Sequence, residues 1–213
     1  MTERVTLGII AITVVATMYA WNKPQVLQRW IFNPYTVHKG GQYYRFLSSG
    51  FIHNDWTHLI FNMLTLYFFG RVIEYIYGAT FGIVGTLFFL ITYLVGIIVA
   101  NITTYLKHRN SPYYNSLGAS GGVAAILFAS IIYRPTSNIC LYFAICIPAF
   151  IMGALYLIYS YYAGKRGRDN INHDAHLMGA LFGIVFTILL RPGVLIEFIE
   201  QLRNFRLLGS ELF

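Results

Sequence analysis

The segment that decides the fold reads Leu117-Gly118-Ala119-Ser120-Gly121-Gly122. It follows a polar loop and opens an apolar stretch that is predicted to be helical. A hydroxyl group between glycines at a helix N-terminus suits a nucleophile, because small neighbours admit a substrate backbone and the helix end stabilises negative charge. The same string also suits close helix packing, since Gly118 and Gly122 are four residues apart. Taken alone, Ser120 is therefore a candidate nucleophile or a small packing residue.

The composition is typical of an integral membrane protein. Of 213 residues, 57% are hydrophobic and only 11% are charged. Several apolar segments approach the roughly 20 residues that cross a bilayer as a helix. The sequence predicts one membrane domain over residues 1–190 and a short amphipathic tail over residues 191–213. The net charge of +7 lies mostly in short loops, where Lys and Arg contact lipid head groups, so we expect a lipid bilayer and no nucleic acid as partner.

The apolar windows predict an all-α bundle of about six transmembrane helices. The expected spans cover about residues 6–22, 56–77, 80–104, 117–133, 138–162 and 174–190. A long loop of about residues 22–55 separates the first two spans. Its aromatic and basic side chains suit the head-group zone, so we expect this loop at the membrane interface. Pro148 is expected to bend the fifth span.

The two cysteines and the first apolar segment are expected to be structural. Cys140 and Cys146 both fall in the fifth apolar run and are too few for a disulfide framework, so we expect them to pack as apolar residues. The segment Leu7–Trp21 lacks a small-residue cleavage site and precedes further spans. It is therefore predicted to be a retained helix rather than a signal peptide.

Three polar side chains lie within otherwise apolar spans. His58 and Asn62 are four residues apart and share one helix face. Such a pair faces protein or a water-filled cavity, which makes it a functional-site candidate, although hydrogen bonds between helices are the alternative. In the sixth span, His176 shares a face with Gly179 and Gly183, which predicts a close packing seam.

These side chains are expected to meet at one depth. In a six-span chain the second, fourth and sixth helices start from the same side, and His58, Asn62, Ser120 and His176 each lie within about two turns of those starts. Their chemistry is complementary, with Ser120 as nucleophile, His176 as general base and the other two as donors to an oxyanion. Asp174 is two residues from His176 and points elsewhere on the helix, which leaves a dyad.

On these residues the chain resembles the rhomboid intramembrane serine proteases. The matching motifs are His58-Leu-Ile-Phe-Asn62, Gly118-Ala-Ser120-Gly121 and Ala175-His176-Leu-Met-Gly179. The resemblance implies a six-transmembrane-helix rhomboid-like bundle and a Ser120–His176 dyad without a catalytic carboxylate. It also implies that His58, Asn62 and Gly118 form the oxyanion and substrate-binding site.

The resemblance further implies how substrates arrive. The first loop would lie half-submerged, and the second and fifth spans would flank the lateral entry of the transmembrane helices of other proteins, which are the expected substrates. No cofactor and no metal is expected. The family suggests the inner or plasma membrane, with the active site opening to the external face.

Three positions depart from the family pattern. Tyr44-Arg45 stands where the first loop often has Trp-Arg, and Met178 replaces a common Gly in the sixth span. Ala124, one turn after Ser120, stands where several members carry an aromatic ring against the catalytic imidazole. The resemblance therefore does not identify the side chain that orients His176.

Alternative functions follow from the same residues. A non-catalytic, Derlin-like protein would bind membrane helices, but retention of both Ser120 and His176 argues against it. A membrane metal enzyme would use a set of acidic and histidine residues with poor ligand spacing, namely His53, Asp55, His58, His173, Asp174 and His176. A small transporter is less favoured because visible repeated halves are missing.

The charge distribution disagrees with the expected orientation. Nine of the 15 Lys and Arg fall in the first, third and fifth predicted loops, and six fall on the side of the termini. The positive-inside rule alone would place the termini outside. The family instead implies cytoplasmic termini, and we expect that orientation because charges in a long interfacial loop can anchor to head groups without setting topology.

Overall fold

The structure is a computed structural model that describes residues 4–141, 145–166 and 171–205. In chain order the helices are α1 (Arg4–Asn22), α2 (Pro24–Trp30), α3 (Pro34–Gly40), α4 (Arg45–Ser48), α5 (Trp56–Thr65), α6 (Arg71–Phe81), α7 (Val84–His108), α8 (Ser120–Tyr133), α9 (Ala149–Arg166), α10 (His173–Leu190) and α11 (Val194–Arg203). A 3-10 turn, Ser49–Phe51, follows α4, and a π-helical segment, Leu66–Gly70, joins α5 to α6. Strands β1 (Asn138–Leu141) and β2 (Ile145–Pro148) form an antiparallel hairpin.

The chain is mostly helical, and four helices are long and apolar enough to cross a membrane among the residues described. They are Arg4–Asn22, Trp56–Phe81, Val84–His108 and His173–Leu190. The helix Ser120–Tyr133 is apolar but shorter. Its 14 residues extend about 21 Å, against about 30 Å for the hydrocarbon core of a bilayer. Each of the six predicted segments thus contains a helix, and four of these helices have the length and composition of membrane spans.

Short helices organise the predicted first loop. α2 and α3 each begin with a proline, Pro24 and Pro34, at a position where the missing N–H is not needed by the helix. The buried Arg45 donates hydrogen bonds from Nη1 to the backbone oxygens of Gln28, at 2.8 Å, and Ile31, at 2.6 Å. This guanidinium group satisfies carbonyl groups at the end of α2 and so fixes that helix against α4.

α8 is the central helix and packs closely between α7 and α10. Every residue of α8 except Ser120 and Leu127 is buried. A Cβ atom on Gly121 would lie 2.3 Å from the Cβ of Ala100 in α7, and one on Gly179 in α10 would lie 2.2 Å from the backbone oxygen of Gly121. The predicted seam of His176, Gly179 and Gly183 is confirmed, because small residues on that face let α10 contact the backbone of α8.

The β-hairpin corrects two predictions, the all-α fold and the fifth span from Asn138. The helix begins only at Ala149, so Pro148 ends a strand and does not bend a helix. The physical reason is that proline pushes the residue before it into extended conformation and cannot donate to a helix that starts earlier. The apolar run up to Pro148 therefore pairs with itself as two strands.

The prediction that the two cysteines only pack as apolar residues is wrong. Cys140 and Cys146 are directly opposite each other in the register of β1 and β2, and they form a disulfide. Pairing across antiparallel strands brings side chains on one face into contact, which the spacing of six residues does not reveal by itself.

The segment after α10 forms the helix α11, which packs under the far end of α8. Val194 is fully buried, and Gln201 Nε2 donates to the backbone oxygen of Tyr133 at 3.2 Å. Arg191 Nη1 donates to Glu197 Oε2 at 3.0 Å. The predicted tail thus begins as an amphipathic helix, and residues 206–213 of it lie outside the described residues.

Candidate active site

Ser120 is the first residue of α8, at the end of a turn made by Leu117, Gly118 and Ala119. Its position gives its backbone N–H no partner within the helix, and the helix dipole directs positive potential toward this end. The sequence prediction that Ser120 opens an apolar helix is confirmed. A developing oxyanion beside Ser120 would therefore be stabilised by the helix end.

Gly118 is held in a conformation that L side chains rarely adopt, with φ at 123°. A Cβ atom on Gly118 would lie 2.5 Å from Cε1 of His58, so the imidazole rests directly on the glycine backbone. The Gly118 N–H donates to the backbone oxygen of Ser49 at 2.9 Å. The turn before Ser120 thus requires glycine at this position for both its backbone angle and its contact with His58.

His53 ties this turn to α1. The Ala119 N–H donates to Nε2 of His53 at 3.3 Å, so the ring proton is on Nδ1, which lies 3.2 Å from Oγ1 of Thr17. The Thr17 hydroxyl in turn donates to the backbone oxygen of Phe51 at 3.2 Å. His53 is fully buried. It therefore links α1, the segment before α5 and the backbone next to Ser120 through one consistent tautomer.

Burial also keeps His53 neutral. Desolvation first, and the neighbouring His58 second, lower the pKa of His53 from 6.5 to about 3, while Asp55 acts in the opposite direction. The two imidazoles meet edge to face, with ring centroids 4.8 Å apart. The sequence pattern suggests His53 only as a metal ligand and does not predict this role. Its spacing of five residues before His58, just outside the helix start, was the available signal.

His58 and Asn62 lie in the first turns of α5, as predicted. Asp55 caps this helix, because its carboxylate accepts a hydrogen bond from the His58 N–H at 2.8 Å. Asn62 is buried, and its Nδ2 donates to the backbone oxygen of His58 at 2.9 Å. The Asn62 amide carries a second N–H, which is available for a ligand in the cavity beside it.

His176 lies in the first turn of α10, which begins at an asparagine cap. The Asn172 side chain accepts from the Ala175 N–H at 3.1 Å and contacts Oγ1 of Thr104 in α7. The Asp174 carboxylate accepts from Lys107 Nζ at 2.9 Å. This ion pair and the contact between Asn172 and Thr104 fix the start of α10 to the end of α7.

One cavity of about 790 Å³ brings the predicted polar residues together. His58 and Asn62 from α5, Ser120 from α8 and His176 from α10 all line it. Gly118 lines a small adjoining recess that Ser120 also borders. The predicted convergence of these side chains is confirmed. The cavity continues along Phe61 and Thr65 of α5, Leu127 of α8 and Tyr156 of α9.

The part of the chain that the structure describes contains no group of three His, Cys, Asp or Glu side chains that could hold a metal ion. The four predicted side chains that line the cavity supply a hydroxyl, two imidazoles and an amide, next to the backbone N–H groups at the start of α8. These groups serve nucleophilic attack, proton transfer and stabilisation of an oxyanion.

The fold and the cavity define a helical membrane protein with a buried polar site at the start of a central helix. The sequence model of the Rhomboid domain matches residues 40–193, and the chain belongs to the rhomboid family.

Similar proteins carry rhomboid names. The chain is 29% identical over 170 residues to RHOMBOID-like protein 12, mitochondrial, of Arabidopsis thaliana, and the aligned region covers 73% of this chain and 48% of that protein. It is 30% identical over 171 residues to Rhomboid-like protein 11, chloroplastic, of the same plant, covering 76% and 58%. It is 30% identical over 190 residues to Presenilin-associated rhomboid-like protein, mitochondrial, of Homo sapiens, covering 85% and 47%. The chain spans about half the length of these curated relatives.

Proposed function

We propose that this protein is an intramembrane serine endopeptidase that cleaves transmembrane helices of other proteins with a Ser120–His176 dyad. One observation carries the proposal: both residues line the same cavity, together with the oxyanion candidates His58 and Asn62 of α5. Membership of the rhomboid family supports the reaction class, since that family generally consists of intramembrane serine proteases.

In the proposed first step, Oγ of Ser120 attacks the scissile carbonyl carbon while His176 takes the hydroxyl proton. The carbonyl oxygen becomes an oxyanion, which accepts hydrogen bonds from the Ser120 N–H, the Asn62 amide and the His58 side chain. Collapse of this intermediate breaks the C–N bond, and the proton held by His176 passes to the leaving amine. The acyl group stays on Ser120 as an ester.

In the second step, His176 removes a proton from a water molecule that attacks the ester carbon. The oxyanion forms again at the same donors, the Ser120 Oγ–C bond breaks, and His176 returns the proton to Ser120. Water must reach a site that lies inside the bundle. In this proposal water enters past the polar side chains of Asn54, Asp55 and Asn115, which line the cavity.

The proposal includes six transmembrane helices, with α8 and α9 as the additional spans, and a first loop that is partly submerged. A 14-residue α8 places Ser120 below the surface if its other end is at the interface, because the helix is about 9 Å shorter than the hydrocarbon core. Substrate helices would enter between α5 and α9, where Phe61 and Tyr156 line the cavity. Phe61 is also exposed.

The decisive experiment incubates the purified protein in liposomes with a panel of single-span helices. Ser120→Ala should remove all cleavage, because it deletes the attacking oxygen. The matched control is Ser130→Ala, which removes a buried hydroxyl from the same helix outside the cavity. Cleavage that survives Ser120→Ala, or that a chelator abolishes while a fluorophosphonate leaves Ser120 unlabelled, would contradict the dyad.

His176→Ala tests the other half of the dyad. It should reduce cleavage as strongly as Ser120→Ala, and the double variant should be hardly worse, because the two residues act as a unit. Mass spectrometry of the fluorophosphonate-treated His176→Ala variant measures the loss of labelling directly at Ser120. A wild-type protein that binds single-span helices without cleaving any of them would instead support the non-catalytic, Derlin-like alternative.

The membrane and the orientation are part of the proposal. The chain is a membrane protein, and we propose the inner or plasma membrane with the cavity opening to the external face. The relatives named above carry mitochondrial or chloroplastic names, which makes the compartment a point to test. A tag after Phe213 should be inaccessible from outside in intact cells. Labelling of that tag by an impermeant reagent would reverse the orientation.

A further inference from the structure

Tyr156 of α9 lies with its ring nearly parallel to the imidazole of His176. The ring centroids are 6.2 Å apart and the planes differ by 19°. On the side of α8, Tyr156 contacts Phe128, with centroids 5.5 Å apart. The tyrosine ring is thus held between an aromatic side chain of the central helix and the histidine of α10. Both Tyr156 and His176 line the main cavity.

The position that could supply a ring from α8 is occupied by alanine. Ala124 lies one turn after Ser120, is buried and lines the same cavity with only a methyl group. We propose that Tyr156 supplies from α9 the aromatic support that Ala124 cannot give, and holds the His176 imidazole in the orientation that serves Ser120. This proposal rests on the proposed function and names a positioning residue for it.

The physical basis is the restriction of one side-chain torsion. An imidazole can rotate about its Cβ–Cγ bond, and proton transfer between His176 and Ser120 requires a particular orientation of the ring. A parallel aromatic ring within about 7 Å favours the stacked orientation over the others by van der Waals contact and quadrupole interaction. Tyr156 therefore reduces the number of orientations in which His176 is not ready to accept a proton.

The location of Tyr156 on α9 has a consequence for substrate entry. α9 lies on one side of the proposed entry and contributes the ring, while α10 contributes the imidazole. A displacement of α9 would move the ring away from His176. The orientation of the dyad is therefore coupled to the position of the helix beside the entry, so that α9 must return to His176 for efficient proton transfer.

The test compares Tyr156→Leu with Tyr156→Phe and with the control Tyr162→Leu. Tyr162 lies on the same helix and is exposed. Tyr156→Leu should lower kcat by about threefold to tenfold with KM within about twofold, which corresponds to the usual energy of an aromatic pair. Tyr156→Phe keeps the ring and should retain most of the activity. Equal losses for Tyr162→Leu, or wild-type kcat in Tyr156→Leu, would overturn the proposal.

A second measurement does not depend on activity. In histidine-labelled protein in micelles, the Cε1 proton of His176 should show a ring-current shift that disappears in Tyr156→Leu and persists in Tyr156→Phe. An unchanged resonance in Tyr156→Leu would refute the ring contact whether or not the protein cleaves helices. If the wild-type protein shows no cleavage that depends on Ser120, the proposed protease function fails while this measurement still decides the aromatic contact.

A transfer of the ring provides the sharpest comparison. Ala124→Tyr added to Tyr156→Leu should recover kcat, because it places a ring against His176 from α8. The same change in the wild-type background should give no gain, since Tyr156 already occupies the space. Thermal unfolding detects whether a variant with Ala124→Tyr fails to fold. In that case the comparison of Tyr156→Leu with Tyr162→Leu decides the proposal.

Discussion

His53 should make the stability of the protein depend on pH in a defined direction. The folded protein holds this residue neutral, because its Nε2 accepts the Ala119 N–H and its surroundings exclude water. The pKa of His53 is about 3 in the folded protein, against 6.5 for an unperturbed histidine. The unfolded chain therefore binds the additional proton as the pH falls below 6.5. The stabilisation is complete above pH 6.5 and is lost as the pH falls toward 3.

The magnitude follows from the two pKa values. Each pH unit between 6.5 and about 3 corresponds to about 1.4 kcal/mol in the free energy of unfolding, which amounts to roughly 5 kcal/mol over the whole interval. His53→Gln removes the titration and keeps an oxygen that can accept from the Ala119 N–H. The variant loses the bond to Thr17, which costs about 1 kcal/mol at neutral pH. Between pH 7.5 and 4.5 the wild-type protein should lose roughly 2–3 kcal/mol of stability relative to the variant, so that the variant becomes the more stable of the two by about 1–2 kcal/mol at pH 4.5.

The assay is unfolding by sodium dodecyl sulfate in mixed micelles, followed by circular dichroism at both pH values. His38→Gln is the control, because His38 lies in α3 and contacts the Tyr105 hydroxyl outside the cavity. The wild-type protein and this control should lose stability in parallel at low pH. A constant difference between the wild-type protein and His53→Gln at pH 7.5 and 4.5 would refute the buried neutral histidine.

Three further predictions concern single side chains. Gly118→Ala should destabilise the protein by about 1–3 kcal/mol and slow the fluorophosphonate labelling of Ser120, because Gly118 has a positive φ and no room for a Cβ atom. The control in thermal unfolding is Gly193→Ala, because a Cβ atom at that position contacts nothing. Asn62→Ala should leave measurable cleavage, lowered by about 10²- to 10³-fold in kcat, as expected for the loss of one oxyanion donor; a kcat unchanged in a folded variant would remove Asn62 from the site. Asp174→Asn should lower the free energy of unfolding by less than about 1 kcal/mol and leave kcat nearly unchanged, since the ion pair of Asp174 with a lysine of α7 is partly exposed. A large fall in kcat would instead show that Asp174 takes part in catalysis.

The convergence of the polar residues could be predicted from the sequence because it depends on local periodicity. His58 and Asn62 share a helix face by their spacing, and the expected order of six spans places the starts of their helices on one side. The cavity that these four residues line follows from these two facts together with the short side chains around Ser120. No long-range contact had to be known in advance.

The β-hairpin was harder to predict because its apolar residues have the same hydrophobicity in either secondary structure. The run from Asn138 to Pro148 is uncharged, and a short uncharged run is compatible with a helix or a strand. Pro148 favours a strand over a helix here, because proline favours extended backbone in the residue before it. The disulfide depends further on strand register, which pairs Cys140 with Cys146 only once the turn between the strands is fixed.

The support of His176 depends on a contact between helices that are separate in sequence. The family resemblance implies that Ala124 leaves space beside the imidazole, but which aromatic residue of α9 faces this space depends on how closely α9 approaches α8. Gly153 determines this approach, because a Cβ at that position would lie 3.1 Å from Cδ1 of Ile131 and 3.4 Å from Cε1 of Phe128. The absence of a side chain lets α9 pack against α8, and Tyr156, one turn later, then reaches both Phe128 and His176. Gly153 and Ala124 thus act together: the small side chain of Ala124 on α8 leaves space beside His176, and Gly153 lets α9 approach closely enough for the Tyr156 ring to fill that space.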